Sequence, residues 1–215
     1  MTEVVLYDFW RSSAAYRVRI ALNLKGVAYR SVAIDLTTGV QSNADYTALN
    51  PQGLVPALQI DGLLLTQSLA IIDYLDAQYK DPPMVSSDPA SRSRTLAQAL
   101  LIAADIHPIN NLRVLRYLVH TLGISDDAKS EWYRHWVREG FAAIEGHLAS
   151  DPAPGRFCHG GTPTFAECFL VPQVYNAQRF NVDMAPYPNI VRINDACAAL
   201  PAFVAAHPAQ QPDAE

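Results

Sequence analysis

The chain has 215 residues, half of them hydrophobic, and a formal net charge of -5. That length can bury a sizeable core without staples and suits one large domain or two small ones. The negative balance and the lack of any Lys/Arg run exclude an electrostatic nucleic-acid binder, and no apolar stretch reaches the roughly 18 to 20 residues of a membrane span.

With neither nucleic acid nor membrane as partner, a cytoplasmic location is expected. Cys158, Cys168 and Cys197 lack the close spacing of a zinc or redox pair and read as semi-buried thiols. No second His falls at ligand spacing from His107, so no metal is assigned.

In chain order, Val4 to Phe9 is a β-rich run ending in the polar elbow Trp10-Arg11-Ser12-Ser13. A helical face follows from Ala14 to Lys25, with Gly26 at the expected stop. Tyr29 to Leu36 reads as a second strand, so the topology to this point is a right-handed βαβ unit. Val55 to Ile60 and Leu63 to Thr66 flank Asp61-Gly62, a dipeptide suited to a tight hairpin. Ser68 is the predicted N-cap of a closing helix that ends near Tyr79.

The breaker-rich run around Pro82, Pro83 and Pro89 predicts a linker over 82–89, which separates an α/β domain at 1–81 from an all-helical domain at 90–215. Long helical patterns run over about 90–120 and 126–149. Thr164 and Glu167 form a capping box for a further helix, and the Pro-rich tail after Ala199 is expected to wrap the surface.

Within this βαβ-ββα plus helices order, several motifs carry a resemblance: Ser12-Ser13-Ala14-Ala15-Tyr16-Arg17-Val18-Arg19-Ile20, Asn50-Pro51, Val55-Pro56-Ala57-Leu58, Gln67-Ser68-Leu69-Ala70-Ile71-Ile72, Asp105 to Arg113 and Val171-Pro172-Gln173-Val174. Over nearly the whole chain they resemble zeta-class glutathione transferases. The resemblance implies a thioredoxin-like glutathione-binding domain, a helical bundle domain, glutathione as cofactor and a homodimer. It also implies cis-trans isomerisation of a dianionic maleyl keto acid, maleylacetoacetate or maleylpyruvate, to the fumaryl product. One departure is Ala14, where the class signature usually carries Cys; cysteine chemistry from that position is excluded.

The same resemblance supplies the expected site. A thiol acts as thiolate, so the protein must stabilise the glutathione sulfur anion. Ser12, with Ser13 as its neighbour, is the expected donor at the strand-to-helix elbow; its alternative role is plain helix capping. Val55, before the expected cis-Pro56, pairs with the cysteinyl portion through its backbone, and Gln67 and Ser68 hold the γ-glutamyl carboxylate at a helix start. Gln41, His107 and Asn111 are further expected glutathione contacts. Arg11, Arg113 and Arg179, with His107, are expected to bind the substrate carboxylates, Arg11 also assisting catalysis through its guanidinium.

Arg17 and Arg19 are expected in structural ion pairs, and Tyr7, the rival to Ser12 as thiolate donor, in strand packing. Two other readings stay open. The same site could serve conjugation, dehalogenation or peroxidase chemistry on another electrophile, or the chain could be a non-catalytic interaction protein of the same fold.

Overall fold

The computed structural model describes residues 3–152 and 155–214. They form two compact units: residues up to Pro83 together with those from Ala198 onward, and Met84–Cys197.

The first unit begins with β1 (Val5–Asp8), α1 (Ser13–Leu24) and β2 (Arg30–Ala33). After a 3-10 turn at Val40–Ser42 come α2 (Ala44–Leu49), β3 (Ala57–Ile60), β4 (Leu63–Thr66) and α3 (Ser68–Gln78). The sheet order is β2-β1-β3-β4, with β1 parallel to β2 and antiparallel to β3, so Tyr7 sits opposite both Val32 and Ala57. Asp61 and Gly62 both adopt positive φ and close the β3–β4 hairpin, as their sequence predicts. The ladder of β3 starts two residues later than expected because Pro56 has no N–H to contribute.

Every residue of α1 from Ser13 to Leu22 is buried, including Arg17 and Arg19. Arg19 is tolerated there because every nitrogen of its guanidinium donates a hydrogen bond. Nη1 donates to both Asp8 carboxylate oxygens at 2.9 and 2.8 Å, Nε to the Ala206 carbonyl at 2.9 Å and Nη2 to the Trp10 carbonyl at 2.9 Å. Burial raises the Asp8 pKa, against the lowering pull of Arg19. Arg17 donates to the Ser68 hydroxyl at 3.2 Å.

The second unit holds α4 (Pro89–Leu100), a π-helical turn (Leu101–Ile106), α5 (His107–Ile109), α6 (Leu112–His120), α7 (Asp126–Ala149), α8 (Phe165–Arg179) and α9 (Pro188–Ala198). The helix expected over 90–120 is therefore broken. Pro108 cannot donate to the carbonyl four residues back, and the turn before it widens so that His107 N–H bonds to the Ile102 carbonyl, five residues back. The chain then restarts at Asn111, whose side chain accepts the Arg113 N–H at 3.1 Å and caps α6. The Thr164–Glu167 capping box forms as predicted, with Glu167 wholly buried and also accepting the Cys158 N–H.

The chain ends with α10 (Pro201–Ala206) and a 3-10 turn at Pro208–Gln210. These residues were expected within the helical domain starting at 90, but they group with the first unit. The reason lies in α1: Asn23 donates to the Ala202 carbonyl at 3.0 Å, and buried Arg19 takes the Ala206 carbonyl as one of its acceptors.

Candidate active site

The elbow between β1 and α1 is a tight turn closed by Ser12 N–H donating to the Phe9 carbonyl at 2.8 Å. Ser12 is the N-cap of α1, and its Oγ accepts the Ala15 N–H at 3.2 Å. Capping uses one lone pair of the hydroxyl and leaves its proton free of that bond, so capping does not by itself preclude a donor role for the same side chain. No acidic residue occupies the first turn of α1, which leaves the positive end of the helix dipole uncompensated. Ser13 is the first helical residue and is buried.

Arg11 is half-buried, with its guanidinium over the rings of Phe9 at 5.8 Å and Trp10 at 5.3 Å. Among the described residues no carboxylate pairs with it, so its charge remains available to an anion. Tyr7 packs in β1 against the cluster of Phe9, Ile34, Tyr46 and Val55, with its ring 6.2 Å from that of Tyr46. Packing accounts for it.

The Val55–Pro56 peptide is cis. The loop leading to it is held at Leu54, whose carbonyl accepts from Tyr46 Oη and Asn50 Nδ2, both at 2.7 Å. Gly53, at φ +61, lets this loop approach the 3-10 turn; an added Cβ would stand 3.0 Å from the Gln41 carbonyl oxygen. Gln41 is itself 9% exposed, and its Oε1 is buried without a hydrogen-bond partner. A buried amide oxygen left unbonded is costly, so this position suits a polar ligand such as the glutathione peptide.

Gln67, expected at the helix start, is the N-cap of α3 at φ 68, and Ser68 is the first helical residue, which corrects the predicted cap by one position. Its left-handed backbone turns the Gln67 side chain to Gln52 Oε1, at 2.7 Å, and no side chain caps the first turn of α3. Ser68 Oγ accepts from Arg17, which ties α1 to the start of α3. Gln52 was not singled out in the sequence; its only signal is proximity to Asn50-Pro51.

In the second unit, His107 is half-buried where the π turn meets α5. Asn111 caps α6, the structural alternative to a ligand contact. The segment is fixed by α7: Trp132 Nε1 donates to the Ile109 carbonyl at 3.0 Å, and Asn110 Nδ2 to the Tyr133 carbonyl at 3.4 Å. The Tyr133 ring stacks on Phe180, and Phe180 together with Tyr175 carries the exposed Arg179, whose guanidinium lies 6.0 and 5.7 Å from their centroids. Arg179 also donates to Asn176 Oδ1 at 3.3 Å. Arg113 is exposed and pairs with no carboxylate among the described residues.

Cys158, Cys168 and Cys197 are all buried in this unit, and burial pushes the Cys158 and Cys197 thiols well up. They are poor nucleophiles there. Among the described residues no group of three or more His, Cys, Asp or Glu could hold a metal, and no helix is long and apolar enough to cross a membrane.

Comparison with known proteins gives matches over the whole length. The family model described as "Glutathione S-transferase, N-terminal domain" matches residues 2–77, and "Glutathione S-transferase, C-terminal domain" matches 127–205. The chain is 50% identical over 217 residues to a probable maleylacetoacetate isomerase of Vibrio cholerae, covering 100% of each. It is similar to the holo structure of a maleyl pyruvate isomerase, a bacterial zeta-class glutathione S-transferase, with TM-score 0.97, 48% identity and coverage of 98% and 100%. It is also similar to a maleylacetoacetate isomerase from Methylobacterium extorquens AM1 with bound malonate and GSH, with TM-score 0.95, 40% identity and coverage of 98% and 99%.

Proposed function

This chain belongs to the glutathione S-transferase family, in its zeta class, and from that premise we propose that it is a glutathione-dependent cis-trans isomerase of maleylacetoacetate or maleylpyruvate. The observation that carries the reading is the elbow. Ser12 caps α1 with a lone pair and keeps a proton to donate, at a helix start free of acidic residues and next to an Arg11 that has no carboxylate partner among the described residues.

When bound, glutathione supplies a thiolate for reversible addition to the maleyl double bond. The role of Ser12, with the first-turn N–H groups of α1, is to hold that sulfur as an anion, below the roughly 8.5 pKa of a free cysteine thiol. Gln41, the Val55 backbone, Gln67 and Ser68 hold the peptide, and Gln41 Oε1 finds there the donor it lacks among the described residues. His107 and Asn111 complete the proposed contacts.

Arg11, Arg113 and Arg179 bind the two anionic ends of the substrate and offset the charge that develops on its ketone, and His107 accompanies them. The accessible guanidinium of Arg113 and the aromatic support of Arg179 favour that role. The structure of the Methylobacterium relative has bound malonate and GSH, and malonate is a dicarboxylate, chemistry of the same kind. A homodimer, taken from the class resemblance, and a cytoplasmic location, expected because no apolar stretch reaches a membrane span, are part of the same reading.

The test follows the absorbance of maleylpyruvate and of maleylacetoacetate, each with and without glutathione, for the parent protein and for Ser12→Ala and Arg179→Ala. Glutathione-dependent turnover that falls at least about a hundredfold in Ser12→Ala, the typical loss of one transition-state donor, supports the reading and ranks the substrates. No turnover of either compound turns it toward conjugation of another electrophile or toward a binding role.

A further inference from the structure

The elbow that carries Arg11 and Ser12 is held by the far end of the chain. Trp10 lies past the last residue of β1, outside the sheet ladder, and its N–H donates to Asp213 Oδ2 at 3.2 Å across 203 residues of sequence. Its carbonyl accepts from Arg19 Nη2 at 2.9 Å. The two ends of the Trp10 residue are thus fixed by two different groups, and both depend on the C-terminal segment. Asp213 belongs to it, and Arg19 is anchored on the Ala206 carbonyl at 2.9 Å.

The segment is built to hold its place. Gln211 Nε2 donates back to the carbonyls of Ala205 and His207 at 3.0 and 2.8 Å, and Ala214 N–H to the Gln211 carbonyl at 3.1 Å, a turn that encloses Asp213. Asn23 fixes α10 through the Ala202 carbonyl, and the His207 ring stands edge-on to Tyr16 with centroids 6.0 Å apart. Without the Asp213 carboxylate a half-buried N–H, two residues before the helix cap, loses its acceptor, and the Trp10 backbone keeps only one of the two side-chain bonds that hold it.

We propose that Asp213 is a positioning residue of the active site: through the Trp10 N–H it fixes the orientation of Arg11 and Ser12, so the C-terminal segment is part of the machinery that ionises glutathione. The inference rests on the reading of the elbow as the glutathione thiolate site. Electrostatics sharpens it. A carboxylate near an anion site works against thiolate formation, so any benefit from Asp213 must come through its hydrogen bond and not through its charge.

The experiment uses the full chain and compares Asp213→Ala, Asp213→Asn and the parent protein. It reads the ultraviolet absorbance of bound glutathione thiolate against pH, the calorimetric affinity for glutathione, and kcat with maleylpyruvate or maleylacetoacetate. In Asp213→Ala the thiolate titration moves to higher pH and kcat falls about three- to tenfold, the scale of one lost hydrogen bond, with glutathione affinity changed far less. Asp213→Asn, whose amide oxygen still accepts the Trp10 N–H and whose charge is gone, keeps the parent rate and titrates at the parent pH or slightly below it. A parent-like titration in Asp213→Ala overturns the inference while leaving the thiolate site standing. A loss in Asp213→Asn equal to that in Asp213→Ala overturns it too, since charge would then be the active property. A parent protein that forms no thiolate with glutathione overturns the site itself, and the inference with it.

Discussion

The ring of Tyr133 on α7 lies flat on that of Phe180, with centroids 3.6 Å apart and planes 5° from parallel. The Tyr133 carbonyl accepts from Asn110 in the segment that joins His107 to Arg113, while Phe180 follows Arg179. One buried residue therefore connects two groups of proposed substrate ligands within the second unit. Tyr133→Ala is expected to destabilise the protein by about 3 to 5 kcal/mol, the range for deleting a buried aromatic ring. In the surviving folded protein KM for the maleyl substrate should rise more than kcat falls. Urea unfolding and steady-state kinetics on the same preparation check both parts; a stability loss with KM unmoved would separate the stack from substrate binding.

Gly140 of α7 faces the π turn so closely that an added Cβ would stand 2.2 Å from Ile106 Cδ1 and 2.4 Å from Cγ1. Ile106 is buried and cannot swing into solvent. Gly140→Ala is therefore expected to cost about 1 to 3 kcal/mol by overpacking, even though Ala is the better helix former. In an Ile106→Ala background the obstructing atoms are gone, and the same Gly140→Ala change should become neutral or stabilising. A double-mutant cycle from denaturant curves measures that sign change, and two additive destabilisations would contradict it.

The two roles of Ser12 can be pulled apart. Ser12→Ala removes cap and donor together and should cost about 1 kcal/mol of stability in addition to the rate. Ser12→Asp keeps a capping oxygen for the Ala15 N–H but places an anion where the sulfur anion is proposed to sit. Its unfolding midpoint should match or exceed that of the parent, while its glutathione thiolate titrates at higher pH and turnover is lost. A fully active Ser12→Asp would exclude the hydroxyl as thiolate donor.

The elements that positioned this site were legible wherever a local pattern fixed them. Asp61-Gly62 forces positive φ, Thr164 and Glu167 satisfy each other across one turn, and the alternation from strand to helix periodicity gives the βαβ order. Pro108 gave a local warning that the helix over 90–120 would break, but whether the chain answers with a kink, a stop or a π turn depends on what packs beside it, here Gly140. The contacts of Trp10 with Asp213 and of Arg19 with Ala206 were not legible at all. They join residues some two hundred positions apart, and nothing in a lone tail Asp or a helix Arg names its partner. Gln41 lies between these cases: the resemblance pointed to it, and only its burial with an unbonded oxygen gives the position a physical reason.

His207 makes the C-terminal segment sensitive to acid. Burial and the charge of Arg19 both lower its pKa, and its Nδ1 accepts the Ala209 N–H at 3.2 Å, a role open only to the neutral ring. A histidine whose folded pKa lies below the unfolded value stabilises the native state above the ordinary range near 6.5, and that contribution is lost as pH falls through the lowered folded pKa. The protection factors of Val204 to Ala209, exchange rates divided by the intrinsic rate at each pH, should therefore fall on passing from about pH 7.5 to about pH 5.5, while the core of β1 and β3 stays protected. His207→Asn, which keeps an oxygen to accept the Ala209 N–H and cannot charge, should show little of that acid response. Because the same segment carries Asp213, the parent should also lose glutathione thiolate at low pH more steeply than a single titrating thiol allows, and His207→Asn should restore the simple curve. If the protection factors of the segment are the same at both pH values, His207 stays neutral throughout, and the coupling of the tail to acid is excluded.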